Sequence, residues 1–316
     1  MKEFISFSLL IYGFLFLGWT LRRLRPRVES HSKSISRWTM IVLETPAIAS
    51  VFWGLEPENL VPHLRLSATA VCVFLISGVA GYLAARLYRF ERPQAGTFTV
   101  TAMLSNVGMT LGGFLCLLYL GDQGLELSQM YMLSGIPYFF TVIFLTARAF
   151  STRQRRGILA ALRLNLQDPV SLLPMAAIVL GLALAIGRIP FPAFLELPRR
   201  IVIFASVALY SLSFGLTMRI RDMFRRLPRL LGMVPIKFVL APAAGYLIAR
   251  AWGYSLAADP VAFKVIIIQS SMPVAIWSVV ACKLFDLDDN FAVALWIFTT
   301  LLVALLIPFY AWLAAL

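Results

Sequence analysis

Charge is what this sequence has least of. Only 14% of its 316 residues are Asp, Glu, Lys or Arg, while 60% are hydrophobic, and the mean hydropathy is +0.84. Soluble domains carry about 25% charged and about 45–50% apolar residues, so this deficit excludes a disordered chain and an ordinary cytosolic enzyme. Histidine is almost absent. His31 and His63 both lie in loops between apolar runs, which leaves no HExxH motif and no His-based triad inside a membrane. Cys72, Cys116 and Cys282 fall within or at the ends of apolar segments; three cysteines placed that way argue against a disulfide framework, and no His/Cys cluster has the spacing of a metal site. Glu44 is the only clear mid-span carboxylate, which excludes a two-aspartate intramembrane protease. No Walker A motif is present to couple ATP. The expectation is a protein that is not an enzyme and holds neither cofactor nor metal.

What is there in abundance is apolar sequence of membrane-spanning length. A helix needs about 20 apolar residues to cross the hydrocarbon core. Hydropathy, read against Pro, Gly and charge, predicts ten spans near 4–21, 38–54, 66–88, 97–120, 127–147, 169–187, 199–218, 229–250, 260–283 and 290–314. The fold class predicted is therefore an all-α polytopic membrane protein. No small-residue cleavage site follows the apolar stretch Phe4–Leu21, so it reads as a retained first span rather than a signal peptide. Arg153 to Gln167 is basic and intermittently apolar, and reads equally as an interfacial helix or a solvated linker.

The formal net charge is +13, but its distribution points to a lipid bilayer and not to nucleic acid. Twenty of the 28 basic residues lie on alternate loops: Arg22 to Arg37, Arg86 to Arg92, Arg148 to Arg163, Arg219 to Arg229, and Lys283. Seven lie on the other side and Lys237 lies within a span. The positive-inside bias then puts both termini on the non-cytoplasmic side of the cell membrane. Five spans per half mean that homologous halves insert in opposite senses. A trace of such a repeat is legible: Ala80-Gly81-Tyr82-Leu83-Ala84-Ala85-Arg86 recurs as Ala244-Gly245-Tyr246-Leu247-Ile248-Ala249-Arg250, displaced by 164 positions. The same displacement carries Ser105-Asn106-Val107 onto Gln269-Ser270-Ser271. The predicted organisation is a first inverted repeat over 1–150, a basic linker over 151–168 and a second repeat over 169–316, an arrangement of secondary transporters.

Unwound or polar backbone is tolerated at membrane depth only where protein or water satisfies it. The fourth span carries Ser105, Asn106 and Gly108 at its middle, followed by Gly112 and Gly113; the ninth carries Gln269, Ser270, Ser271 and Pro273. Pro273 must kink or break its helix, whereas the fourth span has only Asn106 and glycines to do so. Two breaks would set two half-helix N-termini near the midplane, each with spare N–H groups and partial positive charge suited to an anion. Ser105, Asn106, Gly108, Gln269, Ser270, Ser271 and Pro273 are the expected substrate site. Close packing of small and polar residues is the alternative for the same pattern. Glu44 and Lys237 are intramembrane ionisable groups and hence candidates for coupling or conformational control. Anchoring fits them as well, since a lysine about three turns from the surface can snorkel to it. Tyr210 and Ser211 extend a polar stripe in the seventh span.

Several of these stretches resemble the auxin efflux carrier family. Asp168-Pro169, Gly181-Leu182, Ile189-Pro190 and Leu209-Tyr210-Ser211-Leu212-Ser213-Phe214-Gly215-Leu216 look like that family's sixth and seventh spans. Lys237 with Pro242, and Ile268-Gln269-Ser270-Ser271-Met272-Pro273 followed by Lys283, look like its eighth and ninth; Leu104-Ser105-Asn106 resembles its fourth. The resemblance implies the fold of sodium/proton antiporters and bile acid symporters, with crossed broken helices 4 and 9. It also implies a scaffold of helices 1, 2, 6 and 7 around a transport domain of helices 3–5 and 8–10. The function expected is a permease or efflux carrier of a small organic anion, a carboxylate, by alternating access, with H+ or Na+ as coupling ion and a homodimer as the assembly considered. The alternatives are a sodium-coupled bile-acid-type symporter, in which Ser105, Asn106 and Gln269 would hold Na+, and a membrane receptor or sensor without transport.

Overall fold

The computed structural model describes residues 2–56, 58, 63–108, 110–151, 158–219 and 225–316. Arg153, Arg155, Arg156 and Arg221 of the charge pattern, and the start of the expected linker, lie outside the described residues. Among the described residues every regular element is helical, with one isolated β-bridge. Six helical stretches are long and apolar enough to cross a membrane: Leu64–Leu87, Leu111–Phe150, Pro169–Ile186, Ala193–Thr217, Leu227–Ala251 and Asp289–Ala315; the apolar helix Pro260–Ser270 is shorter. The chain is thus an all-helical polytopic membrane protein.

The helices in chain order are α1 (Lys2–Leu24), α2 (Ser32–Trp38), α3 (Thr45–Trp53), α4 (Leu64–Leu87), α5 (Arg92–Met103), α6 (Leu111–Met132), α7 (Gly135–Tyr138) and α8 (Phe144–Phe150). There follow α9 (Ile158–Gln167), α10 (Pro169–Ile186), α11 (Glu196–Thr217), α12 (Leu227–Leu231), α13 (Ala241–Ala251), α14 (Pro260–Ser270), α15 (Ile276–Leu284), α16 (Asp289–Val303) and α17 (Ile307–Ala315). Three π-turns, Thr39–Glu44, Phe139–Ile143 and Ile236–Leu240, lie inside longer helical runs. The first precedes Pro46 and the third precedes Pro242. A prolyl ring supplies no N–H and collides with the carbonyl four residues before it, and a widened turn accommodates both.

The chain divides into two compact units. One comprises Met1–Val61 and Gln154–Arg219; the other comprises Pro62–Arg153 and Ile220–Leu316. In the first, α1 packs along α11, and α3 along α10. Both contacts are close because they are made by glycine: a side chain at Gly18 would collide with Leu212 and Gly215, and one at Gly181 with Ala49 and Phe52. Dispersion at such short separation, rather than water exclusion, holds helices together in lipid. A buried hydroxyl pair, Ser36 and Ser213 at 2.8 Å, adds a bond across the unit, and Ser213 also donates to the Ser32 carbonyl at 2.7 Å. The expected linker is helical over Ile158–Gln167: in α9, Leu162 and Leu166 are exposed while Asn165 is buried and accepts from Ser171 at 2.8 Å. Asp168 caps α10 by accepting from the Val170 N–H, and it pairs with Arg37 at 2.9 Å.

In the second unit α4 packs on α5, and α13 on both α14 and α4. The repeated heptapeptide has a clear role here. A Cβ at Gly81 would collide with Ala102 of α5, and one at Gly245 with Ser270 of α14. Each copy lets a long helix approach the short helix that follows it in the chain. Asp259 and Asp288 accept from Ala262 and Phe291 N–H groups, both at 3.0 Å, to start α14 and α16. The Asp-Pro start of α14 combines an N-cap with a proline whose missing N–H costs nothing there. Asp288 is also paired with Arg226 at 2.6 Å.

Candidate functional site

Two short helices stop within the second unit. α5 ends at Met103 and α14 at Ser270; the chain resumes as α6 at Leu111 and α15 at Ile276. The fourth expected span therefore breaks without a proline. The physical reason is pairing: Ser105 and Val274 form an antiparallel bridge, with the Asn106 N–H donating to the Pro273 carbonyl at 2.8 Å and the Ala275 N–H to the Leu104 carbonyl at 3.2 Å. Each unwound stretch satisfies the backbone of the other, which is what an apolar surrounding demands. Gly108 completes the turn at φ +72°, a left-handed conformation open to glycine. A Cβ there would also strike Met132.

Gln269 fastens this crossing. Its Oε1 accepts from the Gly108 N–H at 3.1 Å and its Nε2 donates to Cys116 Sγ at 3.2 Å. Its amide lies against Gly112, where a side chain would collide with it. Ser270 Oγ donates to the Ile266 carbonyl at 2.5 Å, within its own helix. Ser271 Oγ donates back to its own helix and lies 3.0 Å from the Tyr310 hydroxyl. The Val274 N–H donates to Thr299 Oγ1 at 3.2 Å. Thr299 and Tyr310 belong to the crossing although no polar cluster marked them in the sequence. Asn106 is different. It is 7% exposed, and among the described residues its side-chain amide has no protein partner.

Lys237 was open between two readings, and its burial removes one of them. The sequence admitted a snorkelling lysine, yet it is fully buried. Its Nζ donates to the Ala102 carbonyl at 2.8 Å, the Leu104 carbonyl at 2.9 Å and Ser105 Oγ at 3.0 Å. It thus caps the C-terminal end of α5, where carbonyls lack intrahelical partners and carry partial negative charge. Glu44, Tyr210 and Ser211 are not with these residues but in the first unit. Glu44 closes the π-turn before Pro46 and is 8% exposed; Tyr210 lies against Met40 Sδ at 3.7 Å. The Ser211 hydroxyl is buried with no partner among the described residues. The sequence therefore grouped under one heading residues that the structure assigns to two units.

Residues 204–316 match the Sodium Bile acid symporter family, about a third of the chain, running from within α11 through α17. No curated protein matches the chain. This overturns the auxin efflux carrier resemblance, because the longest stretches on which it leaned, Leu209 to Leu216 and Ile268 to Lys283, fall inside the matched region, as does Lys237 with Pro242. The reason is physical. A proline-broken span needs small and polar neighbours whatever it carries, so that pattern does not separate families that share the break.

Proposed function

We propose that the chain is a secondary transporter of a small organic anion, a carboxylate, driven by a coupling ion and working by alternating access around the crossing. The observation that carries this reading is Asn106, which lies in the unwound stretch between α5 and α6 with a side-chain amide that has no hydrogen-bond partner among the described residues. The first N–H groups of a helix have no partner of their own, and their partial positive charge favours an anion. No arginine is needed, and none lies between 92 and 121 or between 260 and 285 apart from Arg92 itself. In this reading the Asn106 amide and the first N–H groups of α6 and α15 contact the carboxylate, while Ser105, Gly108, Gln269, Ser270, Ser271 and Pro273 hold the crossing in shape. The similarity of 204–316 to a sodium bile acid symporter family supports an organic anion as cargo and a cation as its coupling partner.

The architecture proposed with it is ten spans in a five-plus-five inverted repeat, both termini on the non-cytoplasmic side. Element boundaries support it. Displaced by 164 positions, Ser32–Trp53 falls on Glu196–Thr217 and Leu64–Leu87 falls on the stretch 228–251. The close contacts support it too: Gly18 against Leu212 and Gly215 has its counterpart in Gly181 against Ala49 and Phe52. The test is uptake of radiolabelled mono- and dicarboxylates by proteoliposomes under imposed sodium or proton gradients. Saturable, gradient-stimulated accumulation of at least one carboxylate is expected. Inserted, folded protein that accumulates none under either gradient overturns the reading.

A further inference from the structure

Lys237 spends all three N–H donors of its ammonium on oxygen atoms of one short segment. The Ala102 and Leu104 carbonyls and Ser105 Oγ stand at 2.8–3.0 Å from Nζ. Two of these are main-chain oxygens at the end of α5, and the third belongs to the residue that forms the bridge with Val274. No carboxylate is among them. Such a set, oxygens only and converging on one point, is what a hard cation takes as ligands. A buried ammonium is otherwise expensive to keep in a hydrocarbon surrounding. The stem that delivers it leaves the π-turn Ile236–Leu240, between Pro235 and Pro242.

We propose that the Lys237 ammonium is a resident cation at the crossing, filling a site that would otherwise bind an alkali metal ion such as Na+. The proposal rests on the transporter reading and deepens it: the end of α5 needs positive charge to hold the unwound segment, and the chain supplies that charge covalently. Removing the ammonium while leaving the three oxygens exposes a sodium site. Restoring positive charge with sodium then restores the crossing.

The experiment measures thermal unfolding of the purified full chain in detergent, titrating sodium chloride against choline chloride at constant ionic strength. Wild type, Lys237→Ala, Lys237→Gln and Lys237→Met are compared. Lys237→Ala opens space beside the oxygens and Lys237→Gln brings a neutral carbonyl oxygen to them, and their midpoints should rise with sodium by about 3 °C or more beyond the wild-type response. Lys237→Met fills the space with apolar volume and should show the wild-type response to sodium or less. A lysine that only packs predicts the same sodium response in all four proteins, and that result overturns the proposal. So does a Lys237→Ala or Lys237→Gln protein that is unfolded at every sodium concentration, because sodium is expected to rescue it. The readout is cation binding and not uptake, so a failure here leaves the carboxylate reading standing, and absence of carboxylate uptake leaves this result standing.

Discussion

Asn106 and Gln269 occupy corresponding halves of the crossing yet do different work, and single substitutions separate them. The Asn106 amide has no protein partner among the described residues, so Asn106→Ala removes little from the fold. It removes a hydrogen bond to a charged acceptor, about 1–3 kcal/mol, or an affinity loss of about 5- to 150-fold. Carboxylate-induced thermal stabilisation should show that loss, with the ligand-free midpoint close to wild type. A lowered midpoint with unchanged affinity assigns Asn106 to packing. Gln269→Leu should do the opposite. It strands the buried Gly108 N–H that Gln269 accepts from at 3.1 Å, and an unsatisfied buried donor costs about 1–3 kcal/mol, read as a fall in stability without ligand. Which side chain spends its polar atoms on the protein is a tertiary fact. Both residues stood out in the sequence as polar groups in apolar spans, but nothing local told the one that fastens from the one left open. Lys237 stayed open between two readings for the same reason: a lysine about three turns from a membrane surface looks free to snorkel, and only the end of α5 explains why it turns inward.

At the scale of elements, the break at Pro273 could be read from covalent chemistry, because proline removes a donor wherever it sits. The break at 104–110 could not, since it exists by virtue of the backbone bonds that Leu104 and Asn106 make with Ala275 and Pro273. Ser105 and Val274 face each other as a non-hydrogen-bonded pair, in which Cα atoms stand about 4.5 Å apart, within disulfide reach. In a background lacking Cys72, Cys116 and Cys282, Ser105→Cys with Val274→Cys should oxidise to an intramolecular disulfide. Moving the second cysteine to Val280 should abolish it. Failure of the first pair to cross-link contradicts the crossing. The glycines of the repeated heptapeptide give a second check. Gly81→Val and Gly245→Val each force a side chain into the following short helix, and overpacking of this kind costs about 1–3 kcal/mol. Gly253→Ala lies away from those contacts but at φ +89°, so Gly13→Ala, with open space around it, is the appropriate neutral control. Similar melting midpoints for all of them would remove the close-approach account.

For the whole molecule, hydropathy and charge were enough to establish an all-helical membrane protein, and the heptapeptide displaced by 164 positions is the sequence basis of the repeat proposed above. Each compact unit takes one stretch from either side of the linker, Met1–Val61 with Gln154–Arg219 and Pro62–Arg153 with Ile220–Leu316, a division that follows the expected grouping of helices 1, 2, 6 and 7 apart from helices 3–5 and 8–10. Sequence halves are therefore not the compact units, because packing follows spatial neighbours and not chain continuity. The bias of basic residues predicts both termini outside; a cytoplasm-dependent reporter fused after Leu316 should be inactive, and an active one contradicts the span count. The central claim, that the crossing carries an organic anion through the membrane, is tested most directly by initial rates of carboxylate uptake into proteoliposomes. Wild type is compared with Asn106→Ala, and with Ser206→Ala as a control in the first unit. The account predicts gradient-driven uptake by wild type and Ser206→Ala, with half-saturation in Asn106→Ala shifted upward by about 5- to 150-fold. Uptake by Asn106→Ala with wild-type half-saturation and rate would contradict it.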